Sequence, residues 1–337
     1  MDNPMRLQDM RLARLRAVRL PGAGFQALLC LFLADAAQAA PGSKTVQARL
    51  HGAWRAAITS AALPGKGCFS AEYPVTAWRP VACIKAPNRA YEPAHRAAVG
   101  FGDDYAATVT GSISAAVGSF PAITGLLSEN SAGVSNQYSL QMNVPYFSSP
   151  TCKSSPYAPG CSAWQQFVFS QSGGKMGTSS AFMVYWLINY GAYCQSGWNQ
   201  AALNCWISSA AVSVPYQKLA AVSDLQLAGS AVSGGNDAVK ITTSKKAYAV
   251  SASDSALDLA GSWSGTEFNI LGDGAGSQAN FNTGTKITVN IQLTDGSTTA
   301  PTCKTNSIFT YETNNLTLGT CQGEKGQNPS MTFTETD

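Results

Sequence analysis

Apolar and polar positions along the chain change period near residue 66. Before it, Leu50, Trp54 and Ile58 recur at four-residue spacing, which predicts a helix that Pro64-Gly65 stops. After it, long helical periodicity is missing, and short β-type runs alternate with turn signals. The runs predict strands over 105–114, 138–144, 165–170, 181–190, 208–214, 224–227, 238–242, 247–250, 266–271, 286–293 and 330–334. Ser233-Gly-Gly-Asn-Asp237 and Thr294-Asp-Gly296 read as hairpin turns. The run 181–190 is apolar on both faces and reads as a central strand. Many short strands with Gly/Asn turns predict an all-β fold: an antiparallel two-sheet β-sandwich, concanavalin- or jelly-roll-like, with a short basic N-terminal leader.

Two strands place polar residues where a half-buried strand would not need them. In Thr266–Leu271, period two puts Glu267, Asn269 and Leu271 on one face, with Phe268 and Ile270 on the other. In Ala163-Trp-Gln-Gln-Phe-Val-Phe-Ser170, Gln165 shares a face with Phe167 and Phe169, and Gln166 with Trp164 and Val168. A glutamine inside an aromatic strand needs a hydrogen-bond partner or a cleft. The bland reading is a solvent face for Glu267 and a loop contact for Gln165. The sharper one is a carboxylate and an amide lining one cleft. A one-residue slip of register would exchange Gln165 for Gln166.

Composition narrows the chemistry. Only 12% of the 337 residues are charged and two are histidines, His51 and His95, both ahead of the β body. That excludes a Ser-His-Asp triad in the body and leaves little for zinc, and no P-loop or G-x-S-x-G elbow is present. No cofactor and no metal are expected. The net charge of +3 is uneven. Residues 40–98 hold eight Lys/Arg against two acids, whereas residues 99–337 hold nine Lys, no Arg and fourteen acids. An Arg-free acidic body argues against nucleic acid.

The first 39 residues read as an address. Five arginines end at Arg19, an apolar run Phe25–Leu33 follows, and Ala37-Gln-Ala39 forms a small-x-small cleavage site. The run is shorter than a bilayer span and Asp35 interrupts it, so a secreted, extracellular or periplasmic protein with no membrane contact after cleavage is expected. Eight cysteines remain beyond Cys30, and their spacing suggests local bridges Cys68–Cys83, Cys152–Cys161, Cys194–Cys205 and Cys303–Cys321. The expected organisation is a signal peptide at 1–39, a basic leader or prosegment with a small Cys-bounded unit at 40–98, and a β-sandwich at 99–337.

The order of segments resembles the secreted glutamic peptidases of the eqolisin and neprosin group. Gln165-Gln-Phe-Val-Phe is similar to the eqolisin Q-T-G-V-D-F strand at its first and fourth positions. Thr266-Glu-Phe-Asn-Ile-Leu-Gly-Asp273 resembles the A-E-W-I-V-E-D-F strand in the glutamate and the following aromatic. Phe182-Met-Val-Tyr-Trp, Tyr190 and the Cys194…Cys205 loop look more like neprosin. The resemblance covers roughly residues 138–293. It implies an acid-acting endopeptidase whose dyad, Glu267 and Gln165, activates water, with Trp164, Gln166 and Asn269 as binding residues. It also implies a prosegment, protein or peptide as substrate, and a monomer. The competing reading is a non-catalytic secreted sandwich binding glycans or a surface partner, with Trp198 and Trp206 as candidate stacking residues.

Overall fold

The computed structural model describes residues 41–93, 104–173, 178–305 and 310–337. The signal peptide expected at 1–39, with Cys30, lies outside the described residues, as does His95. Thr45–Asp337 forms one compact unit.

The two large sheets of that unit are antiparallel, as the alternation predicts. The first sheet has nine strands in the order Arg79–Val81, Gly67–Glu72, Lys246–Ser253, Asn236–Thr242, Gln226–Ser230, Ala115–Thr124, Lys286–Thr294, Ser330–Thr336, Thr317–Glu324. The main path of the second runs Asn199–Ala201, Asn204–Ser208, Ser179–Ile188, Ser162–Gln171, Tyr138–Asn143, Gly265–Leu271, Ala106–Thr108, Thr302–Lys304. Ala210–Val214 pairs with the start of Ser179–Ile188 and bridges to Ile84–Lys85. A small sheet joins Thr313–Asn314, Gln278–Phe281, Glu129–Ser131 and Val134–Ser135. Ser179–Ile188 is buried along its whole length, as a central strand should be.

Several boundaries differ from the sequence reading. The 105–114 run yields only Ala106–Thr108, and the strand Ala115–Thr124 was not anticipated. Its Gly118 and Pro121 read as breakers, yet tertiary packing overrides propensity here. The run at 208–214 is two strands broken at Ser209. The Cys-bounded unit of the leader is a sheet edge, since Gly67–Glu72 pairs along its length with Lys246–Ser253.

The core lies between the two large sheets. Phe268 and Phe167 point inward from the second sheet and meet glycines of the first. A Cβ at Gly118 would stand 2.1 Å from Phe268 Cγ, and one at Gly229 would stand 2.6 Å from Phe167 Cδ2. These glycines serve close approach. Gly118→Ala is therefore expected to destabilise by about 1–3 kcal/mol through overpacking, read as a lowered urea midpoint. An unchanged midpoint would refute the account.

Helix Pro41–Ser60 stops before Pro64-Gly65 as expected. Trp54 and Ile58 are buried against Phe69, Trp78 and Ala249, but Leu50 is exposed, so only the C-terminal half of the helix packs. Lys240 Nζ caps that end by donating to Thr59 O (2.5 Å) and Ala61 O (2.8 Å). All four expected disulfides are present. Each closes a loop of 9–18 residues.

Candidate functional site

Register places the polar residues. Glu267 stands directly opposite Asn143, and Asn143 opposite Gln166, across three neighbouring strands. Adjacent strands lie about 4.8 Å apart, so Glu267 and Gln166 flank Asn143 on one face. Phe268, on the opposite face, stacks toward Phe120 of the first sheet at 5.0 Å. Glu267, Asn143 and Gln166 therefore occupy the outer face of the second sheet.

A chain of amides orders that face. Asn143 Nδ2 donates to Glu267 Oε1 (2.5 Å) and to Gln141 Oε1 (3.4 Å). Gln166 Nε2 donates to the same Gln141 oxygen (3.2 Å), and Gln166 Oε1 accepts from Trp186 Nε1 (3.2 Å). Gln141 Nε2 in turn donates to Ser139 Oγ (3.0 Å) and Glu312 Oε2 (3.4 Å). Glu312 is fixed further by the Gly276 amide (3.1 Å) and the Thr310 hydroxyl. Each amide is thus oriented by its neighbours. One N–H of Gln166 is used and a second remains to donate. Glu267 Oε2 is buried and has no hydrogen-bond partner among the described residues.

Burial sets the electrostatics. Glu267 and Glu312 are both closed off from solvent. Desolvation raises the Glu267 carboxyl well above the usual range, Asp104 and Glu312 add like-charge repulsion, and the Asn143 bond opposes them. Glu312 is pushed up to about 7 by burial, against the hydrogen bonds that favour its ionised form. Tyr146 also rises, chiefly by burial and then by the Glu267 charge, and its ring stands edge-on to Trp164 at 6.1 Å.

Of the expected dyad, one member stands elsewhere. Gln165 faces the interior between the sheets, away from Glu267, and donates to Asp237 Oδ2 at 2.8 Å. Asp237 is pushed up to about 8, first by burial and then by Asp254, while the Gln165 bond lowers it. The correction is one of face: both faces of Ser162–Gln171 are buried, and only pairing shows that the even-numbered face carries Gln166 toward Glu267. Trp164 does lie on the Gln166 face, 6.4 Å from Trp186, and its indole N–H has no acceptor among the described residues. Asn269 turns to Glu335, donating to Oε1 at 2.5 Å. Of the stacking residues of the competing reading, Trp206 is buried and Trp198 is partly buried and packs against the core.

The leader also reaches this face. Arg89 pairs with Asp273 (2.5 Å), Tyr91 OH donates to the other Asp273 oxygen (2.6 Å), and Ser170 Oγ joins them (2.8 Å). The Tyr91 ring lies on Phe182 at 5.9 Å. A cavity of about 860 Å³, lined by Ala56, Ala228 and Lys240 among others, lies beside the helix and contains no residue of this site. Among the described residues, no group of three or more His, Cys, Asp or Glu is placed to hold a metal ion.

Sequence reasoning missed Asn143, Gln141, Glu312 and Asp104. The first two had a signal: Ser139, Gln141 and Asn143 form a polar period-two stripe in the predicted 138–144 strand. Glu312 reads as a turn, and nothing local links it to Glu267.

No family model and no curated protein matches the chain. Among solved structures, the chain is similar to scytalido-glutamic peptidase with a transition-state analogue inhibitor, at 14% identity and a TM-score of 0.33, over 68% of this chain and 97% of that one. It is also similar to SCP-B, a member of the eqolisin family of peptidases in a complex with the tripeptide Ala-Ile-His, at 10% identity and a TM-score of 0.31, over 68% of this chain and 96% of that one.

Proposed function

We propose that the chain is a secreted, acid-acting endopeptidase in which Glu267 and Gln166 activate water for peptide-bond hydrolysis. The observation that carries this reading is the buried Glu267 Oε2, without a hydrogen-bond partner among the described residues, on the same sheet face as the Gln166 amide, whose Nε2 donates to Gln141. Ionised Glu267 takes a proton from water as the oxygen attacks the peptide carbonyl. Gln166 Nε2 donates to the oxyanion that develops. Asn143 and Gln141 hold both groups in register. The four disulfides agree with an oxidising destination. No helix among the described residues is long and apolar enough to cross a membrane.

In this reading Arg89–Glu92 belongs to a prosegment. It lies on the face that a substrate would use, held by Asp273 and by the Tyr311 amide, which donates to Glu92 O at 3.0 Å. Admitting water to the face relieves the desolvation of Glu267 and returns its carboxyl toward the range in which it ionises in acid.

The test separates the two glutamines. After incubation of the secreted chain at about pH 4, near the ordinary carboxyl range, casein hydrolysis is followed for Gln166→Ala and Gln165→Ala. Gln166→Ala is expected to lower kcat by about 10²–10³, the usual loss for one oxyanion donor, with its melting temperature kept. Gln165→Ala is expected to lose stability first, because it strips Asp237 of its bond. Full activity in Gln166→Ala would refute the assignment.

A further inference from the structure

Helix Pro41–Ser60 covers only part of the outer face of the first sheet. Its Trp54 and Ile58 pack on Ala249. Beyond the helix, the same sheet face lines the cavity of about 860 Å³, a volume usual for a small-molecule site. We propose that this trough binds a fatty acid, with the carboxylate on Lys240 and the aliphatic chain laid across the strands. The inference does not depend on the hydrolase reading.

Register builds the floor. Ala249, under the helix, stands opposite Lys240, and Lys240 stands opposite Ala228. Ala228 is opposite Val117, and Val117 is opposite Gln292. Residues directly opposite one another share a face. The inward face is the other one, since Gly118 and Gly229, each next in sequence to a member of this row, meet Phe268 and Phe167 of the second sheet. From Lys240 to Gln292 the row crosses three strand gaps, roughly 14 Å. The next row along the strands runs Ala238, Ser230, Ala115, Thr294. Small side chains keep both rows low, and the helix end walls one side.

Charge picks the ligand. Lys240 is 8% exposed, and it is the only acid or base among the residues lining the cavity. Its Nζ donates to Thr59 O at 2.5 Å and Ala61 O at 2.8 Å, which uses two of three N–H donors. Both acceptors are neutral carbonyls, and the Trp78 ring, 6.0 Å from Nζ, carries no net charge. The cavity thus holds a buried cation with a third donor to offer and no carboxylate in its lining. No aromatic side chain lines the trough, so a sugar ring has no stacking platform. A peptide would bury backbone donors and acceptors, and between Lys240 and the far pair Gln292 and Thr294 the two floor rows offer only the Ser230 hydroxyl. An aliphatic chain needs no partner there, and its carboxylate satisfies Lys240.

The experiment is calorimetric titration of the secreted chain with dodecanoate at neutral pH, below the range in which Lys240 loses its proton, with dodecanol and butyrate as comparisons. Wild type is expected to bind one dodecanoate per chain. Dodecanol, which keeps the chain but not the charge, should bind about 10-fold more weakly or worse, and butyrate, which keeps the charge but not the chain, should show no saturable binding. Lys240→Met should weaken dodecanoate by about 10-fold or more. That variant also loses the helix cap, so Ala228→Phe supplies a second reading: it fills the trough, leaves Lys240 bonded to the helix, and should abolish dodecanoate binding with the melting temperature kept. Absence of saturable dodecanoate binding in wild type would overturn the proposal. So would dodecanol binding as tightly as dodecanoate, or wild-type affinity in either variant.

Discussion

Glu267→Gln is expected to abolish casein hydrolysis, by about 10²–10⁴-fold, the range spanned by general acid–base catalysis. The substitution is nearly isosteric and keeps an oxygen that accepts from Asn143 Nδ2, now at 2.5 Å from Glu267 Oε1. It removes the only function an amide cannot supply, acceptance of a proton from water. Desolvation, the largest cause of the raised Glu267 carboxyl, predicts that the uncharged variant is at least as stable as wild type. Loss of activity together with a maintained or raised melting temperature is therefore the signature of a catalytic base. Loss of both would mark Glu267 as a structural residue, and retention of activity would end the hydrolase reading.

The second large effect concerns acid. Asp237 and Glu129 are pushed up to about 8 and Glu312 to about 7, each chiefly by burial. A carboxyl whose folded value lies above its unfolded one binds its proton more tightly in the folded state. Its contribution is complete below about pH 4, where both states are protonated. It is lost as pH rises toward the folded value, on the order of 1 kcal/mol per pH unit for each group. The raised Asp273 carboxyl adds the same sign. Lys240, pulled down to about 8 by burial, works in the opposite sense only above that pH. Thermal melts from acid to mildly alkaline pH should thus show the highest midpoint in acid and a steady fall toward pH 8. Asp237→Asn should flatten that slope, because the amide keeps a group for Gln165 but has no proton to lose. A midpoint that climbs from acid to neutral pH would contradict the account.

The inter-sheet pair of Gln165 and Asp237 and the outer-face pair of Gln166 and Glu267 sit back to back on one strand. The first is a buried carboxyl bonded across the core, and the second an ordered amide row. The same desolvation raises both acids, one between the sheets and one on the outer face of the second sheet. Acid tolerance and the candidate chemistry therefore share a cause: carboxyls placed in protein rather than in water.

Much of this was legible in the residues. Alternation separated Glu267 from Phe268 and Gln165 from Gln166, and short cysteine spacings gave all four bridges, because both depend on neighbours in the chain. The helix stop at Pro64-Gly65 is equally local, whereas the Lys240 cap comes from a distant strand. What alternation lacks is a label for inside and outside. Ser162–Gln171 is buried on both faces, so parity alone could not say which glutamine meets Glu267. That was decided by pairing with Tyr138–Asn143, which sets Asn143 beside both Gln166 and Glu267, the latter 124 residues away in the chain. Strand Ala106–Thr108 reaches Glu267 by the same long-range registry, with Ala106 directly opposite it. The chain by itself determined the fold class, most of the long strands, which residues alternate along them and the carboxylate-and-amide inventory, while Ala115–Thr124 and the strand limits came from packing. The tertiary structure decided which faces meet, because strand pairing is set by the mutual burial of distant segments and not by the spacing within any one of them.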